Sequence, residues 1–399
     1  MNELETVDVV VVGGGPSGAT AAADLARAGH SVVLLDRDGR IKPCGGAIPP
    51  RLMKDFAVPD SVLVGHATAA RMIAPSDRAV DMPIEGGFVG MVDRGSFDEW
   101  LRDRATTAGA RRETGTYEAI ERDPDGTAVV VYRPKGALRH DALQRLRARA
   151  VIGADGARSG VARAVLKGAE RIPCVFAYHE TIATPADAAF DRGRCDIYYQ
   201  AKLSPDFYAW IFPHGDTTSV GVGSAKKGFS LKDAVTRLRA ETGLTDCATI
   251  RREGAPIPLK PLKKWDNGRD IVVAGDAAGV VAPASGEGIY YAMTAGREAA
   301  TAVSEFLATG NPKALAGARR RFMKAHGRVF WILGMMQHFW YSSDKRRERF
   351  VKICDDADVQ RLTWQAYMNK ELVRADPIAH LRIFLKDLGH LFGIGSTAA

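Results

Sequence analysis

Close to its start the chain runs from an apolar strand straight into glycine: Val9-Val10-Val11-Val12-Gly13-Gly14-Gly15-Pro16-Ser17-Gly18-Ala19-Thr20. No other stretch constrains the fold as much. The residues Val7 to Val12 have the length and β-branching of a buried parallel strand. From Pro16 to Ala28 the side chains are small and helix-forming, and Pro16 stands where a first helical turn tolerates proline. Between strand and helix lies G-x-G-x-x-G, formed by Gly13, Gly15 and Gly18, with Ser17 inside it. The first glycine permits the tight turn, the second admits a pyrophosphate to the backbone, and the third brings helix close to strand. A second strand, Ser31 to Leu35, ends in Asp36, which stands 18 residues past Gly18 and is followed by Arg37. An acid at that distance suits a ribose hydroxyl. A glycine turn alone is common; with strand, helix and acid in order, it predicts a bound dinucleotide.

With 399 residues and 46% hydrophobic content, the chain can build one large domain or two. Met1 to Thr6 is too short and acidic for a signal peptide, and Val329 to Met336 falls short of a spanning helix. The expected location is therefore the cytoplasmic side, with no transmembrane helix. Five cysteines (Cys44, Cys174, Cys195, Cys247, Cys354), without CxxC spacing, argue against a disulfide framework and against a zinc site. No metal is expected.

Charge is unevenly placed. From Pro312 onward there are 16 Lys/Arg and 8 Asp/Glu, while the preceding residues carry 39 of each, so the whole net charge of +8 lies in that region. Three of the six tryptophans lie there too. A basic, tryptophan-bearing region suits an anionic membrane surface or an acidic partner, and its plainer reading is a solvated helical face. Nucleic acid is not expected, because no binding motif accompanies the charge.

The pattern predicts an α/β fold: a discontinuous Rossmann-like nucleotide-binding domain, an inserted antiparallel β-sheet substrate domain, and a C-terminal helical region. The boundaries are 1–170 and 265–311 for the nucleotide domain, 171–264 for the inserted sheet, and 312–399 for the helices. Strand-like segments in the insert include Cys195 to Tyr199 and Phe207 to Phe212. A long helix is expected from Gly288 to about Ala308.

Two further motifs extend the nucleotide reading. A strand at Val151-Ile152-Gly153 leads into Ala154-Asp155-Gly156-Ala157-Arg158-Ser159, and another ends in Gly275-Asp276-Ala277-Ala278-Gly279. An acid at a strand's C-terminal end can accept hydrogen bonds from a ribityl chain, although each motif alone reads as an ordinary Asp-Gly turn.

Taken together, these three motifs resemble the FAD-dependent flavoproteins built like aromatic hydroxylases. The resemblance implies FAD, with Asp276 beside its ribityl and pyrophosphate portion and Asp155-Gly156 where flavin and nicotinamide meet. It also implies that Arg94, in Asp93-Arg94-Gly95-Ser96-Phe97-Asp98, contacts the flavin nucleotide; the plain alternative is a solvated arginine opening a helix. Gly221-Val222-Gly223 lacks the third glycine and reads as strand. NADPH, as electron donor, would dock transiently on the FAD domain.

Within that group, Lys42-Pro43-Cys44-Gly45-Gly46-Ala47-Ile48-Pro49 resembles the geranylgeranyl reductases of chlorophyll and bacteriochlorophyll synthesis. So do Gly286-Glu287-Gly288-Ile289 and Tyr208-Ala209-Trp210-Ile211-Phe212-Pro213. The resemblance runs nearly full length. It implies reduction of a geranylgeranyl chain to phytyl on a tetrapyrrole or on the diphosphate, at the cytoplasmic face of a photosynthetic or inner membrane, in association with pigment-synthesis enzymes. It implies a catalytic role for Cys44 as proton donor or part of its relay, with Tyr208 as rival donor. An isolated trisubstituted alkene cannot accept hydride directly, so reduction pairs a proton on the less substituted carbon with hydride from reduced flavin on the tertiary one. The aromatic faces of Tyr208, Trp210 and Phe212, with Pro213, would line the channel and stabilise the intervening positive charge. Aromatics alternating along a strand otherwise serve core packing, and a lone cysteine is usually an inert small hydrophobe. Glu287 reads either as organiser of the flavin edge or as a helix N-terminal carboxylate. His179 and His214 carry no metal spacing or triad and are expected to be structural or exposed, and Asp206 to serve the turn after Pro205. An FAD monooxygenase or epoxidase would share every nucleotide motif, and a non-enzymatic prenyl-binding escort would share the fold.

Overall fold

The structure, a computed structural model, describes residues 5–37 and 41–370. The last part of the expected helical region, 371–399, lies outside the described residues. The chain divides into two compact units, each made of three segments: 1–44, 94–176 and 255–334 form the first, and 45–93, 177–254 and 335–399 the second.

The first unit is built on the valine run. Strand Thr6–Val12 is buried on both faces, and its neighbours are parallel: Val32–Asp36 on one side and Gln144–Gly153 on the other. Ile271–Val273 extends the sheet in parallel beyond Gly153, and Arg111–Arg122 does so beyond Asp36. Ala128–Pro134 pairs antiparallel with both Arg111–Arg122 and Gln144–Gly153. A central parallel strand must bury both faces, which is why it reads as continuous valine rather than as an alternation. Helix Pro16–Arg27 follows the glycine elbow with proline at its first turn, and helix Ile289–Thr309 packs on it. That approach depends on small side chains: a Cβ on Gly296 would lie 2.1 Å from the Ser17 carbonyl oxygen.

The second unit holds the strands of a seven-stranded sheet, ordered Thr249–Pro258, Cys174–Ala183, Thr217–Ser224, Ala209–His214, Arg194–Tyr198, Ala69–Ile73 and Ala79–Pro83. Gly221 to Gly223 sits within a strand, as its pattern predicts. Ala209–His214 is antiparallel to both its neighbours, but Ala69–Ile73 joins Arg194–Tyr198 in parallel, so the sheet is mixed rather than wholly antiparallel. The same pairing explains a difference in boundary. Residues 45–93, expected with the nucleotide domain, group with the sheet unit because they supply its last two strands.

One sheet face packs under helix Leu231–Glu241 through Ile182, Ala209, Ile211, Val220, Val222, Val235 and Leu238. The helices Asp344–Ile353 and Ala357–Asn369 also belong to this unit, whereas most of Gly317–Trp340 groups with the first.

Candidate functional site

The three motifs of the first unit converge because their glycines leave no room between them. Gly13 has φ +106°, and a Cβ there would lie 2.4 Å from the Ala154 carbonyl oxygen and 2.9 Å from the Asp155 Cα. A Cβ on Gly18 would lie 1.8 Å from the Gly13 carbonyl oxygen. Gly275 (φ +64°) packs on Ser17, its built Cβ 2.7 Å from the Ser17 Cβ. Gly15 and Gly156 differ: a Cβ on either meets nothing within 4 Å. The second glycine of the elbow therefore presents open backbone, as a pyrophosphate requires. Beside it Ser17 Oγ is buried with no hydrogen-bond partner among the described residues. Open backbone at Gly15 together with an orphaned hydroxyl at a helix N-terminus fits a dinucleotide phosphate.

Asp36 closes the elbow from the second strand. A Cβ on Gly14 would lie 2.7 Å from its Oδ2, and the Gly14 and Arg37 amides donate to its carboxylate. Arg102 reaches the same oxygen at 3.3 Å and the Gly14 carbonyl at 3.2 Å. Burial raises the Asp36 pKa in spite of these partners. The Arg37 side chain is exposed.

Asp276 is buried and ion-paired to Lys42, which ties the Gly-Asp motif to the segment ending in Cys44. At the other end of that loop, Gly286 has φ +66°, and Gly288 caps the helix that Ile289 begins. Glu287 Oε1 accepts from the Tyr290 amide at 3.0 Å, so this carboxylate serves the helix start.

Asp155 is held within its own turn. Its carboxylate accepts from the Ser159 hydroxyl and from the amides of Gly160 (2.6 Å) and Val161 (3.2 Å). Ser159 in turn caps the short helix Gly160–Val165 through the Ala162 amide. The carboxylate is thus engaged in holding its own turn, and Gly156 leaves open space where a side chain would stand.

Arg94 also departs from its plain reading, since it is buried rather than solvated. It opens helix Arg94–Thr107 and grips Asp98 one turn on with a two-pronged bond, Nε to Oδ1 at 2.9 Å and Nη2 to Oδ2 at 2.7 Å. Burial works against its charge, but Asp98 and then Cys44, both hydrogen-bonded to it, hold its pKa above the ordinary arginine value. Cys44 is half-buried at this guanidinium. Removing one member of a buried pair strands the other. Asp98→Ala is therefore expected to lower stability by about 3–5 kcal/mol, read as a shift in the denaturation midpoint of the flavin-loaded protein.

In the second unit the aromatic motif lies at the start of strand Ala209–His214. Ala209 and Ile211 face the core under helix Leu231–Glu241, which leaves Trp210 and Phe212 on the opposite face. Tyr208 precedes the strand instead of lying in it, yet its carbonyl accepts from the Gly223 amide at 3.1 Å. Tyr208 and Trp210 meet edge-on with centroids 6.0 Å apart, and Trp210 and Phe212 lie 6.2 Å apart. Pro213 is buried. Gly45 abuts Phe212, its built Cβ 3.1 Å from the ring, and Gly46 (φ +67°) abuts His214. Phe212 also packs beside Val89, Met91, Trp364 and Met368.

The Trp210 indole is fixed by residues that sequence reasoning set aside. Its Nε1 donates to Ser219 Oγ at 3.1 Å, and Ser219 Oγ lies 2.9 Å from His179 Nδ1. Gly221 clears space for the ring, since a Cβ there would be 2.2 Å from Trp210 Cζ2. His214 is half-buried, and desolvation of its ring lowers its pKa. Asp206 accepts from Ser224 Oγ and the Ala225 amide, so its carboxylate ties this loop to the end of strand Thr217–Ser224 instead of closing the turn after Pro205. The alternation of Trp210 and Phe212 was readable, but their distant partners Ser219 and His179 carried no local signal. Lys42 and Arg102 escaped for the same reason.

Residues 6–325 match the family described as FAD binding domain. The chain is 58% identical over 388 residues to the geranylgeranyl diphosphate reductase of Rhodobacter capsulatus, covering 97% of this chain and 98% of that protein. It is 33% identical over 398 residues to the geranylgeranyl diphosphate reductase of Synechocystis, covering 96% and 97%. The fold is similar to the crystal structure of a geranylgeranyl bacteriochlorophyll reductase-like protein from Thermoplasma acidophilum, with a TM-score of 0.79, 22% identity and coverage of 94% and 100%.

Proposed function

Because the chain belongs to the geranylgeranyl reductase family of FAD-binding flavoproteins, we propose that it saturates all but one double bond of a geranylgeranyl chain borne by a bacteriochlorophyll or chlorophyll tetrapyrrole, or by diphosphate. It is an FAD-dependent oxidoreductase acting on carbon–carbon double bonds. NADPH is the proposed electron donor; with no second nucleotide motif visible in the sequence, it docks transiently on the first unit.

Gly13, Gly15, Ser17 and Gly18 hold the pyrophosphate, Asp36 and Arg37 the adenosine ribose, and Gly275 and Asp276 the ribityl portion. Gly45, Gly46, Arg94, Gly156, Gly286, Gly288 and Ile289 complete the flavin surround, with Asp155 fixing the turn that presents Gly156. Reduced FAD, when bound, would supply the hydride. Cys44 gives a proton to the less substituted alkene carbon, and the Arg94 guanidinium, hydrogen-bonded to that sulfur, stabilises the thiolate left behind. Trp210, Tyr208 and Phe212 present aromatic faces to the apolar chain, worth about 1–2 kcal/mol each to a developing positive charge in a dry pocket. Sliding one chain through successive registers favours such faces over polar anchors.

The observation that carries this reading is the contact of Gly45 with Phe212: the residue following Cys44 abuts the aromatic strand. The test is anaerobic. With the flavin photoreduced, geranylgeranyl-tetrapyrrole and geranylgeranyl diphosphate are added separately, and the true substrate is expected to restore the oxidised flavin spectrum. Failure of both would overturn the reading, and stoichiometric oxygen uptake with a prenyl substrate would replace it with a monooxygenase.

A further inference from the structure

Helix Gly317–Trp340 contains no acidic residue in its 24 positions. After Gly317 and Ala318 come three consecutive arginines, and they have different fates. Arg319 Nε donates inward to the Leu262 carbonyl at 2.8 Å, and Arg321 is ion-paired to Glu298 at 2.6 Å and Glu305 at 3.0 Å. Arg320, between them, points out with no ion-pair partner among the described residues, as do Lys324 and Arg328.

These three cations are spaced four apart and are continued along the helix by Trp331, Met335 and His338, all exposed. At 3.6 residues per turn the six fall within about 80° of arc. Apart from Ala325, every exposed residue of the helix lies on this stripe. Trp331 is 63% exposed and Met335 is 47% exposed, although both are large apolar side chains.

Helix energetics alone disfavour this arrangement. Like charges one turn apart repel, and cations near a helix N-terminus oppose its dipole. An external negative surface removes both penalties. A row of cations followed on the same exposed face by tryptophan and methionine offers an anionic bilayer surface two kinds of contact, charge for the headgroups and an amphipathic indole that favours the interface. Among the described residues no helix is long and apolar enough to cross a membrane. The apolar end distinguishes the stripe from a nucleic-acid surface, where cations continue to follow phosphates.

We infer that the stripe Arg320–Lys324–Arg328–Trp331 is the surface by which this chain docks on an anionic lipid bilayer, in the plane of its headgroups. The inference deepens the proposed reading, from which it takes only that the substrate is a lipid-borne chain. The basic run Lys345 to Arg349, on the next helix, includes a cation that cannot serve such a contact. Arg347 is only 1% exposed and is consumed by Asp344 and the Pro205 and Tyr341 carbonyls.

The test uses the full-length flavin-loaded protein and vesicles of phosphatidylcholine with or without phosphatidylglycerol. Binding is expected only with the anionic lipid and is expected to weaken as salt rises. Replacing all three cations (Arg320→Gln, Lys324→Gln, Arg328→Gln) is expected to lower partitioning about 100-fold at low salt, and Trp331→Ser by a smaller, salt-independent factor. Flavin content and melting temperature check the fold; should the triple variant lose flavin, the single reversal Lys324→Glu must still weaken binding. Unchanged binding in the charge variants, equal binding to neutral vesicles, loss of vesicle binding to competing DNA, or a dimer that Trp331→Ser dissolves while vesicle binding persists would each overturn the inference. Turnover of a detergent-solubilised prenyl substrate, measured without vesicles, is expected to survive in the triple variant. Vesicle binding without any turnover would count against the reductase reading and leave the docking surface standing.

Discussion

Gly18→Ala is expected to yield protein that emerges from gel filtration without its yellow colour. The added methyl would sit 1.8 Å from the Gly13 carbonyl oxygen and 3.1 Å from the Ala154 Cβ, and neither neighbour can retreat easily. Gly13 is held at φ +106°, and its own space is closed by Ala154 and Asp155. The helix must therefore lift from the strand, which carries Ser17 and the open backbone at Gly15 away from the position a pyrophosphate needs. Overpacking of this kind costs about 1–3 kcal/mol in stability, and the same displacement applied to phosphate binding corresponds to a loss of roughly 10–100-fold in FAD affinity. Flavin absorbance per polypeptide, titrated against added FAD, is the measurement. Gly15→Ala is the informative contrast, because its methyl meets no protein atom within 4 Å. A loss of flavin there, with stability intact, locates the ligand itself at the second glycine.

Cys44→Ala and Trp210→Ala are expected to keep FAD and lose alkene reduction. Neither side chain belongs to the elbow, so flavin content is the internal control. For Cys44→Ala the loss follows from removal of the proton donor, a contribution of about 100- to 10,000-fold in rate. For Trp210→Ala it follows from removal of an aromatic face, and the empty space left beside Ser219 also lowers stability by about 3–5 kcal/mol. Single-turnover oxidation of the photoreduced flavin by substrate reads the chemical step directly. Unchanged rates in both variants would remove these residues from the site. If Tyr208 is the donor instead, Cys44→Ala retains its rate and Tyr208→Phe does not.

Legibility in the sequence followed the range of the interaction. The strand at Thr6–Val12 and the helix at Pro16–Arg27 were readable because burial on both faces and a glycine turn are imposed by neighbours in the chain. The helix from Ile289 to Thr309 was readable for the same reason. Asp155 had a local signal that pointed elsewhere: a serine four residues on, with a glycine after it, is the start of a capped helix, and the carboxylate went to that cap. Lys42 with Asp276 and Arg102 with Asp36 were not readable, since a surface-type cation gives no hint of which distant acid it will meet. Parallel pairing of Ala69–Ile73 with Arg194–Tyr198 was equally hidden, being settled by the path of the intervening chain.

That path has a consequence for biosynthesis. Each compact unit is assembled from three separated segments, and the first is not complete until residue 334 has been made. The strand Ile271–Val273 and the acid Asp276 thus leave the ribosome long after the elbow they must meet. The first unit must wait for its third segment, so the nascent polypeptide carries its valine core partly uncovered through most of translation. A premature stop anywhere before the last crossing forfeits both halves at once.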